Sequence, residues 1–205
     1  MICWVLFLIY IIAYQNIKNK KSWDIFTRIV STYNALQCLY MIYYEMFLYG
    51  KGGMSNLYYV ASDYSTDSLY FFSYYLFIDG SFQLLKFTDI LSILHHFIGG
   101  FGIYLIANNR MGFFLGYYFA MTEISTPFLN LSWYFRNKIL FVIFYILFTI
   151  SRIFTIPFLL EYLNNNTENI LTLNTIQSFM SFYGSYSLIT LNSIWFIFLT
   201  KKLIF

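Results

Sequence analysis

The sequence predicts an all-α fold, a polytopic membrane helical bundle of about seven transmembrane helices, with six as the alternative count. Composition is the first reason, because 60% of the residues are hydrophobic and only 10% are charged, whereas a soluble domain carries ~25% charged residues. The second reason is the length of the apolar runs, since a helix needs ~20 mostly apolar residues to cross a bilayer. The chain is therefore expected to be an integral membrane protein.

Seven apolar segments account for the predicted spans, at residues 2–14, 29–48, 69–85, 90–107, 113–135, 139–160 and 175–199. The first segment is short, and lysines follow it rather than precede it, which is the reverse of the order in a signal peptide. It is therefore predicted to be an anchoring helix. We accordingly divide the chain into an N-terminal anchor helix with a cytoplasmic loop, residues 1–24, and a transmembrane domain, residues 25–205.

The positive charges predict the orientation, because cytoplasmic loops of membrane proteins carry an excess of Lys and Arg. We place the N-terminus in the lumen and the C-terminus in the cytoplasm. Nine of the 12 Lys and Arg residues then fall on the cytoplasmic side, namely Lys18, Lys20, Lys21, Arg28, Lys86, Arg136, Lys138, Lys201 and Lys202. Two more are lumenal, and Arg152 lies within a span. The loops at 49–68 and 161–174 are then lumenal, and the second carries a glycosylation sequon at Asn165.

Charge, cysteines and histidines exclude several classes of function. The net charge of +3 is small and is not gathered into a basic patch, so no nucleic-acid partner is expected. Cys3 and Cys38 lie in apolar segments, where they are expected to be core residues rather than a disulfide or metal site. His95 and His96 are neighbours and point ~100° apart on a helix, so they do not ligate one metal together. We predict no metal and no resident cofactor.

Polar side chains inside the predicted spans indicate an interior pocket, because ionisable groups in a bilayer usually face the bundle interior. Glu123 and Arg152 are predicted to lie ~20 Å from the cytoplasmic boundary, given a rise of ~1.5 Å per residue, and to form an ion pair. A second group lies nearer that boundary, at ~9–13 Å; its members, from five spans, are Asn34, Asp79, His95 with His96, Asn130 and Asn192.

Two of these polar features admit more than one interpretation. The histidine pair either hydrogen-bonds a neighbouring helix and stabilises the bundle, or supplies a general base or nucleophile that Asp79 orients. Pro127 interrupts the fifth span and bends the helix. The bend is either a packing feature or the means of opening a cavity between Glu123 and Asn130.

Five segments, in chain order, resemble motifs of the TLC domain proteins, a family that includes ceramide synthases and smaller TLC-domain-containing proteins. The most specific is TEISTPFLNLSWYF at residues 122–135. The others are RIVSTYNA at 28–35, YYLFID at 74–79, LHHFIG at 94–99 and LNSIWF at 191–196. Together they extend over nearly the whole chain, and the likeness is greatest to the small TLC-domain-containing branch. Residues 25–205 are therefore expected to form a TLC-type transmembrane domain.

The resemblance implies a protein of the endoplasmic reticulum or another endomembrane, with an interior cavity for a lipid or acyl chain. Two functions follow from it. The first is binding or handling of phospholipid or sphingolipid, which influences membrane lipid composition. The second is acyl-CoA-dependent N-acyltransfer of the ceramide-synthase type, with acyl-CoA as co-substrate. There, His95 or His96 activates an amine or carries the acyl group, Asp79 orients the imidazole, and Asn130 hydrogen-bonds the acyl carbonyl.

The sequence departs from the ceramide synthases in ways that leave catalysis undecided. Asn34 stands where the family has a histidine, and the region of Thr122 and Glu123 lacks the second acidic motif of the synthases. The expected partners are membrane lipids and acyl-CoA, and a homo-oligomer is left open. The predicted catalytic residues are His95, His96 and Asp79. The predicted polar residues of the lipid pocket are Asn34, Glu123, Asn130, Arg152 and Asn192.

Overall fold

A computed structural model describes residues 2–49, 61–86 and 89–204, and every regular element within these ranges is helical. The α-helices are α1 (Ile2–Asn16), α2 (Lys20–Tyr43), α3 (Asp63–Leu85), α4 (Ile90–Asn109), α5 (Phe113–Met121), α6 (Thr126–Phe135), α7 (Lys138–Phe148), α8 (Ile156–Asn165), α9 (Thr167–Leu171), α10 (Thr175–Phe179) and α11 (Ser185–Ile204). A 3₁₀ turn, Thr122–Ser125, joins α5 to α6, and π-helical turns occur at Tyr44–Tyr49, Thr149–Ile153 and Met180–Gly184. The predicted all-α class is confirmed.

Three continuous helical stretches in the described residues are long and apolar enough to cross a membrane, namely Ile90–Asn109, Lys138–Asn165 and Thr175–Leu203. They correspond to the fourth, sixth and seventh predicted spans. The first predicted span falls on α1, which has only 15 residues and is shorter than the ~20 residues that a bilayer requires. The membrane-type helical bundle is therefore supported, while the count of seven spans stays a prediction.

The two predicted lumenal loops are shorter than the sequence indicated. Helix α3 begins at Asp63 rather than near residue 69, because the Ser62 side chain accepts a hydrogen bond from Ser65 N and caps the helix. Residues 50–60, the rest of that loop, lie outside the described residues. The second predicted loop, 161–174, is mostly helical, since α8 and α9 occupy it. Tyr162 and Ile170 bury their side chains in the core there, which the polar sequence around them concealed.

Helix α4 carries the histidine pair, and its start is fixed by a side-chain cap. Asp89 accepts hydrogen bonds from the backbone nitrogens of Leu91 and Ser92 at 3.4 and 3.1 Å. Such a cap satisfies amide groups that have no partner within the helix. With α4 starting here, the histidines lie about two turns into the bundle, ~10 Å from Asp89.

Helices α3 and α4 pack closely because glycines line their interface. A Cβ atom added at Gly80 would lie 3.0 Å from His96 Cβ, and one at Gly100 would lie 3.3 Å from Leu76 Cβ. The Ser73 hydroxyl also donates to the Gly100 carbonyl oxygen at 2.8 Å. Small residues and interhelical hydrogen bonds are the usual means of close helix packing in membranes. The close approach brings the last turns of α3 against the first turns of α4.

Helix α1 packs onto the end of α3 and the start of α2 through an aromatic cluster. Tyr10 is fully buried, and its ring centroid lies 5.1 Å from Phe26, 5.2 Å from Phe82 and 6.3 Å from Trp23. Aromatic pairs at these separations contribute more than their buried area alone. The predicted anchor helix is thus part of the packed bundle.

We predict that Gly80→Ala is less stable than Gly102→Ala, which is its matched control. Both changes gain the same helix propensity, ~0.5–1 kcal/mol, but the new methyl group at Gly102 would meet only Met180 Cε at 3.9 Å. At Gly80 it would press on His96, and overpacking of this kind costs ~1–3 kcal/mol. The free energy of unfolding in detergent measures the difference. Equal stability of the two variants would show that α3 and α4 are not tightly packed.

Candidate functional site

A cavity of about 430 Å³ lies inside the bundle and is partly open to the outside. Its wall is formed by α2, α3, α4, the segment from Glu123 to Asn130, α7 with its π turn, and α11. Asp24, in the second turn of α2, and Asp89, the cap of α4, lie at one end of this wall. Arg152 lies instead in the π turn between α7 and α8, in the middle of the continuous helical stretch Lys138–Asn165. The cavity therefore runs from one end of the bundle toward its middle.

Asp79 is the central polar group of this wall. It is only 3% exposed, and its carboxylate accepts hydrogen bonds from Tyr10 Oη and Gln83 Nε2, both at 2.6 Å. His96 Nδ1 lies 3.2 Å from Asp79 Oδ2, although it is not aligned for a hydrogen bond. The predicted proximity of Asp79 and the histidine pair is therefore present, in the form of a His96–Asp79 contact.

Both histidines line the cavity, but their surroundings differ. The His95 ring lies edge-on to Trp195, with centroids 5.1 Å apart, and 5.8 Å from the His96 ring. His95 has no carboxylate partner among the described residues, whereas His96 contacts Asp79. His95 and His96 both reach the cavity because the cavity extends around α4, from α3 on one side to α11 on the other.

The predicted ion pair between Glu123 and Arg152 is wrong, although both side chains line the cavity. Arg152 instead donates to the Thr122 carbonyl oxygen from Nη2 at 2.7 Å and from Nε at 3.2 Å, and to Asn192 Oδ1 from Nη1 at 3.3 Å. Glu123 accepts a hydrogen bond from Thr126 Oγ1 at 2.8 Å.

Pro127 explains why a backbone oxygen takes the place of the carboxylate. Proline has no amide hydrogen, so the Glu123 carbonyl lacks its usual donor four residues on. The Thr126 amide donates to that carbonyl instead, which produces the 3₁₀ turn. The Thr122 carbonyl oxygen thereby loses the Thr126 amide, which would be its donor in an α-helix. Arg152 then satisfies the Thr122 carbonyl oxygen. The proline thus acts on the cavity wall through backbone hydrogen bonds.

Asn130 joins α6 to α2 at the other side of the cavity. Its Oδ1 accepts from Arg28 Nη1 at 3.0 Å, and its Nδ2 donates to Arg28 O at 3.1 Å and to Thr32 Oγ1 at 2.9 Å. The Arg28 guanidinium also lies over the Trp133 ring, 4.3 Å from its centroid. The charge pattern predicts only that Arg28 lies on the cytoplasmic side, whereas the fold places it in the cavity wall.

Two predicted pocket residues lie outside this wall. Asn34 is fully buried, and its side-chain atoms have no hydrogen-bond partner, but α2 lines the cavity with Arg28 and Ser31 instead. Asn34 lies one turn beyond Ser31, past the part of α2 that lines the cavity. Asn192 acts indirectly, because it accepts the Arg152 hydrogen bond and lines a smaller adjoining cavity with His95.

The described residues contain no group of three or more His, Cys, Asp and Glu side chains placed to hold a metal ion.

Comparison with known families decides which class of membrane protein this is. Residues 1–201 match the family model of the TLC domain. The chain belongs to the TLC domain family. A search of curated proteins and a search of solved structures each found no match. Membership in the TLC domain family, together with the long apolar helices, identifies an integral membrane protein.

The TLC-domain motifs and the cavity wall coincide. Each of the five segments that resemble the family contributes to the wall. The contributions, in chain order, include Arg28, Asp79, the His95–His96 pair, the stretch from Glu123 to Asn130, and Trp195. Residues far apart in the sequence therefore meet around one space, which is what a shared ligand site requires.

We expect Tyr10→Phe to destabilise the protein much more than Tyr14→Phe on the same helix. Tyr10 donates to a buried carboxylate, and a hydrogen bond to a charged group contributes ~1.5–3 kcal/mol. Tyr14 is 39% exposed, so removing its hydroxyl group should change the free energy of unfolding by no more than ~0.5 kcal/mol. Unfolding of the purified variants in detergent measures both effects. Comparable losses would mean that the Asp79 contact does not hold α1 to α3.

Proposed function

We propose that this TLC-domain protein binds a membrane lipid in the cavity and thereby influences the lipid composition of its membrane. The observation that carries the proposal is the cavity itself, of about 430 Å³ and walled by the five family-like segments. Pockets for small molecules typically enclose ~300–1,000 Å³.

The two kinds of surface in the cavity suit an amphipathic ligand. Charged and amide side chains supply part of the wall, and the apolar part includes Leu129, Phe144, Phe148, Phe198 and Leu199. A polar head group would meet the first part and an acyl chain the second. Because ligand sites combine apolar walls with a few placed polar groups, this composition supports phospholipid or sphingolipid rather than a wholly polar solute.

We further propose that the protein lies in the endoplasmic reticulum or another endomembrane, with its N-terminus lumenal and its C-terminus cytoplasmic. The excess of Lys and Arg in the segments assigned to the cytoplasm supports this orientation. In that orientation, the end of the cavity at Asp24 and Asp89 faces the cytoplasmic leaflet. A lipid would then enter from that leaflet.

Filling the cavity should remove the bound lipid. Leu129 lines the cavity, so Leu129→Trp places an indole in the ligand space, and we expect co-purified lipid to fall to a small fraction of the wild-type amount. Leu131→Trp is the matched control, because Leu131 lies on the same helix and is 41% exposed. Mass spectrometry of lipid extracted from the purified proteins measures the ratio. Loss of lipid in both variants, or in neither, would contradict binding at this cavity.

A specific contact also favours a second function, acyl-CoA-dependent N-acyltransfer of the ceramide-synthase type. His96 Nδ1 lies 3.2 Å from Asp79 Oδ2, and a carboxylate in this position can orient an imidazole for general-base catalysis. With Nδ1 turned to Asp79, Nε2 is available to take a proton from a long-chain amine. The amine would attack the thioester carbonyl, an amide bond would form as the C–S bond breaks, and the proton would pass to the CoA thiolate.

The acyltransferase proposal predicts that His96→Gln abolishes transfer while lipid binding persists. General acid–base catalysis contributes ~10²–10⁴-fold to rate, so the loss should be of that order. His95→Gln serves as the control, since His95 packs on Trp195 and contacts no carboxylate among the described residues. The assay supplies acyl-CoA and a long-chain base to purified protein. If the wild type forms no amide, the protein is not this enzyme and the binding proposal stands alone.

A further inference from the structure

Arg28 is a fixed cation on the cavity wall. Its Nη1 donates to Asn130 Oδ1 at 3.0 Å, and the Asn130 amide is itself held by Arg28 O and Thr32 Oγ1. The Trp133 ring supports the guanidinium from one side, 4.3 Å from Cζ. Two contacts, one of them to an amide that is itself fixed, thus hold the guanidinium in one place before any ligand arrives, which reduces the entropy lost on binding.

The guanidinium has unused hydrogen-bonding capacity. Arg28 Nε is buried and has no partner, and the ion pairs among the described residues involve His96 with Asp79 and Arg110 with Asp63, but not Arg28. Asp24 lines the same cavity one turn earlier on α2 without forming an ion pair with Arg28. A half-buried cation with unmet donors is stabilised by an anion that accepts from its planar fork.

Arg152, the other arginine of the wall, does not offer the same opportunity. Its Nε, Nη1 and Nη2 all donate, to the Thr122 carbonyl oxygen and to Asn192 Oδ1. Among the two arginines of the wall, Arg28 is therefore the one with a guanidinium nitrogen that has no partner.

The position of Arg28 matches the head-group level of a bilayer. Trp133, Tyr134 and Phe135 are 36%, 62% and 63% exposed, at the end of α6, and Arg136 follows them. Trp and Tyr concentrate at membrane–water interfaces, where their rings lie at the level of the head groups. Because Arg28 lies on the Trp133 ring, its guanidinium is at the depth where lipid phosphates are found.

We propose that Arg28, held by Asn130 and Trp133, binds the phosphate of a zwitterionic phospholipid that occupies the cavity. This inference rests on the proposed lipid-binding function and specifies its ligand. Asp24 and Asp89 line the same end of the cavity, where their negative charges favour the ammonium group of such a lipid. The same charges disfavour the several phosphates of a CoA thioester at this end of the cavity, which favours the binding function over acyl transfer from CoA.

The test compares Arg28→Gln with wild type by native mass spectrometry of the full chain in detergent. The protein is titrated with phosphatidylcholine, and with a diacylglycerol that has the same acyl chains and no phosphate. We expect Arg28→Gln to bind phosphatidylcholine roughly tenfold to a hundredfold more weakly and to bind diacylglycerol as the wild type does. Arg28→Lys should recover part of the affinity, because it restores the charge without the planar fork.

Arg136→Gln is the matched control, since Arg136 is an exposed cation at the same end of the bundle, and its binding should not change. Unfolding of each variant is followed in the same detergent. Unchanged phosphatidylcholine binding by Arg28→Gln, or an equal loss for both lipids, would overturn the phosphate assignment. Dependence of palmitoyl-CoA or inorganic phosphate binding on Arg28, without such dependence for phosphatidylcholine, would overturn the phospholipid assignment. If the wild type binds neither lipid, the lipid-binding function itself is wrong.

Discussion

The buried carboxylate of Asp79 is the interaction on which the arrangement of the site depends. A charge inside a helical bundle is tolerated when hydrogen-bond donors replace the water that it has lost. Here Tyr10 of α1 and Gln83 of α3 itself donate to the carboxylate, and His96 of α4 lies in contact with it at 3.2 Å. Satisfying one carboxylate therefore fixes three helices relative to one another. The contact with Asp79 also engages Nδ1 of the His96 imidazole, which lines the cavity.

A second constraint comes from what Pro127 lacks. Without its amide hydrogen, the turn before α6 tightens and the Thr122 carbonyl oxygen becomes an acceptor for Arg152. The guanidinium is thereby tied to backbone rather than to Glu123, whose carboxylate makes only a local bond to Thr126. A carbonyl oxygen carries less charge than a carboxylate. The inner part of the cavity consequently keeps the Glu123 carboxylate and the Arg152 guanidinium without a direct ion pair between them.

Much of this architecture is readable from the sequence, and what was missed has a physical cause. Spacing along a helix gives depth, so Asp79 and the histidine pair were expected at one level, where they do meet. Depth does not give the direction in which a side chain points around the helix axis. The predicted ion pair between Glu123 and Arg152 is wrong for this reason. Tyr10 carried no signal, because it is one of 21 tyrosines. Arg28 did carry one, since it begins the family-like segment RIVSTYNA, but its charge served only to predict the orientation of the chain.

The levels of Arg28 and His96 indicate how binding and chemistry would relate within one cavity. Asp24 and Asp89 line the same end of it. Counting from them, Arg28 lies four residues inward, ~6 Å, and His96 seven residues inward, ~10 Å. A ligand whose phosphate rests on Arg28 would therefore place the bonds just beyond its head group near the His96–Asp79 contact. The proposed binding function and the proposed transfer reaction therefore use different lipids, since the long-chain base of the transfer reaction has no phosphate to rest on Arg28. They also differ in whether a second substrate reaches His96.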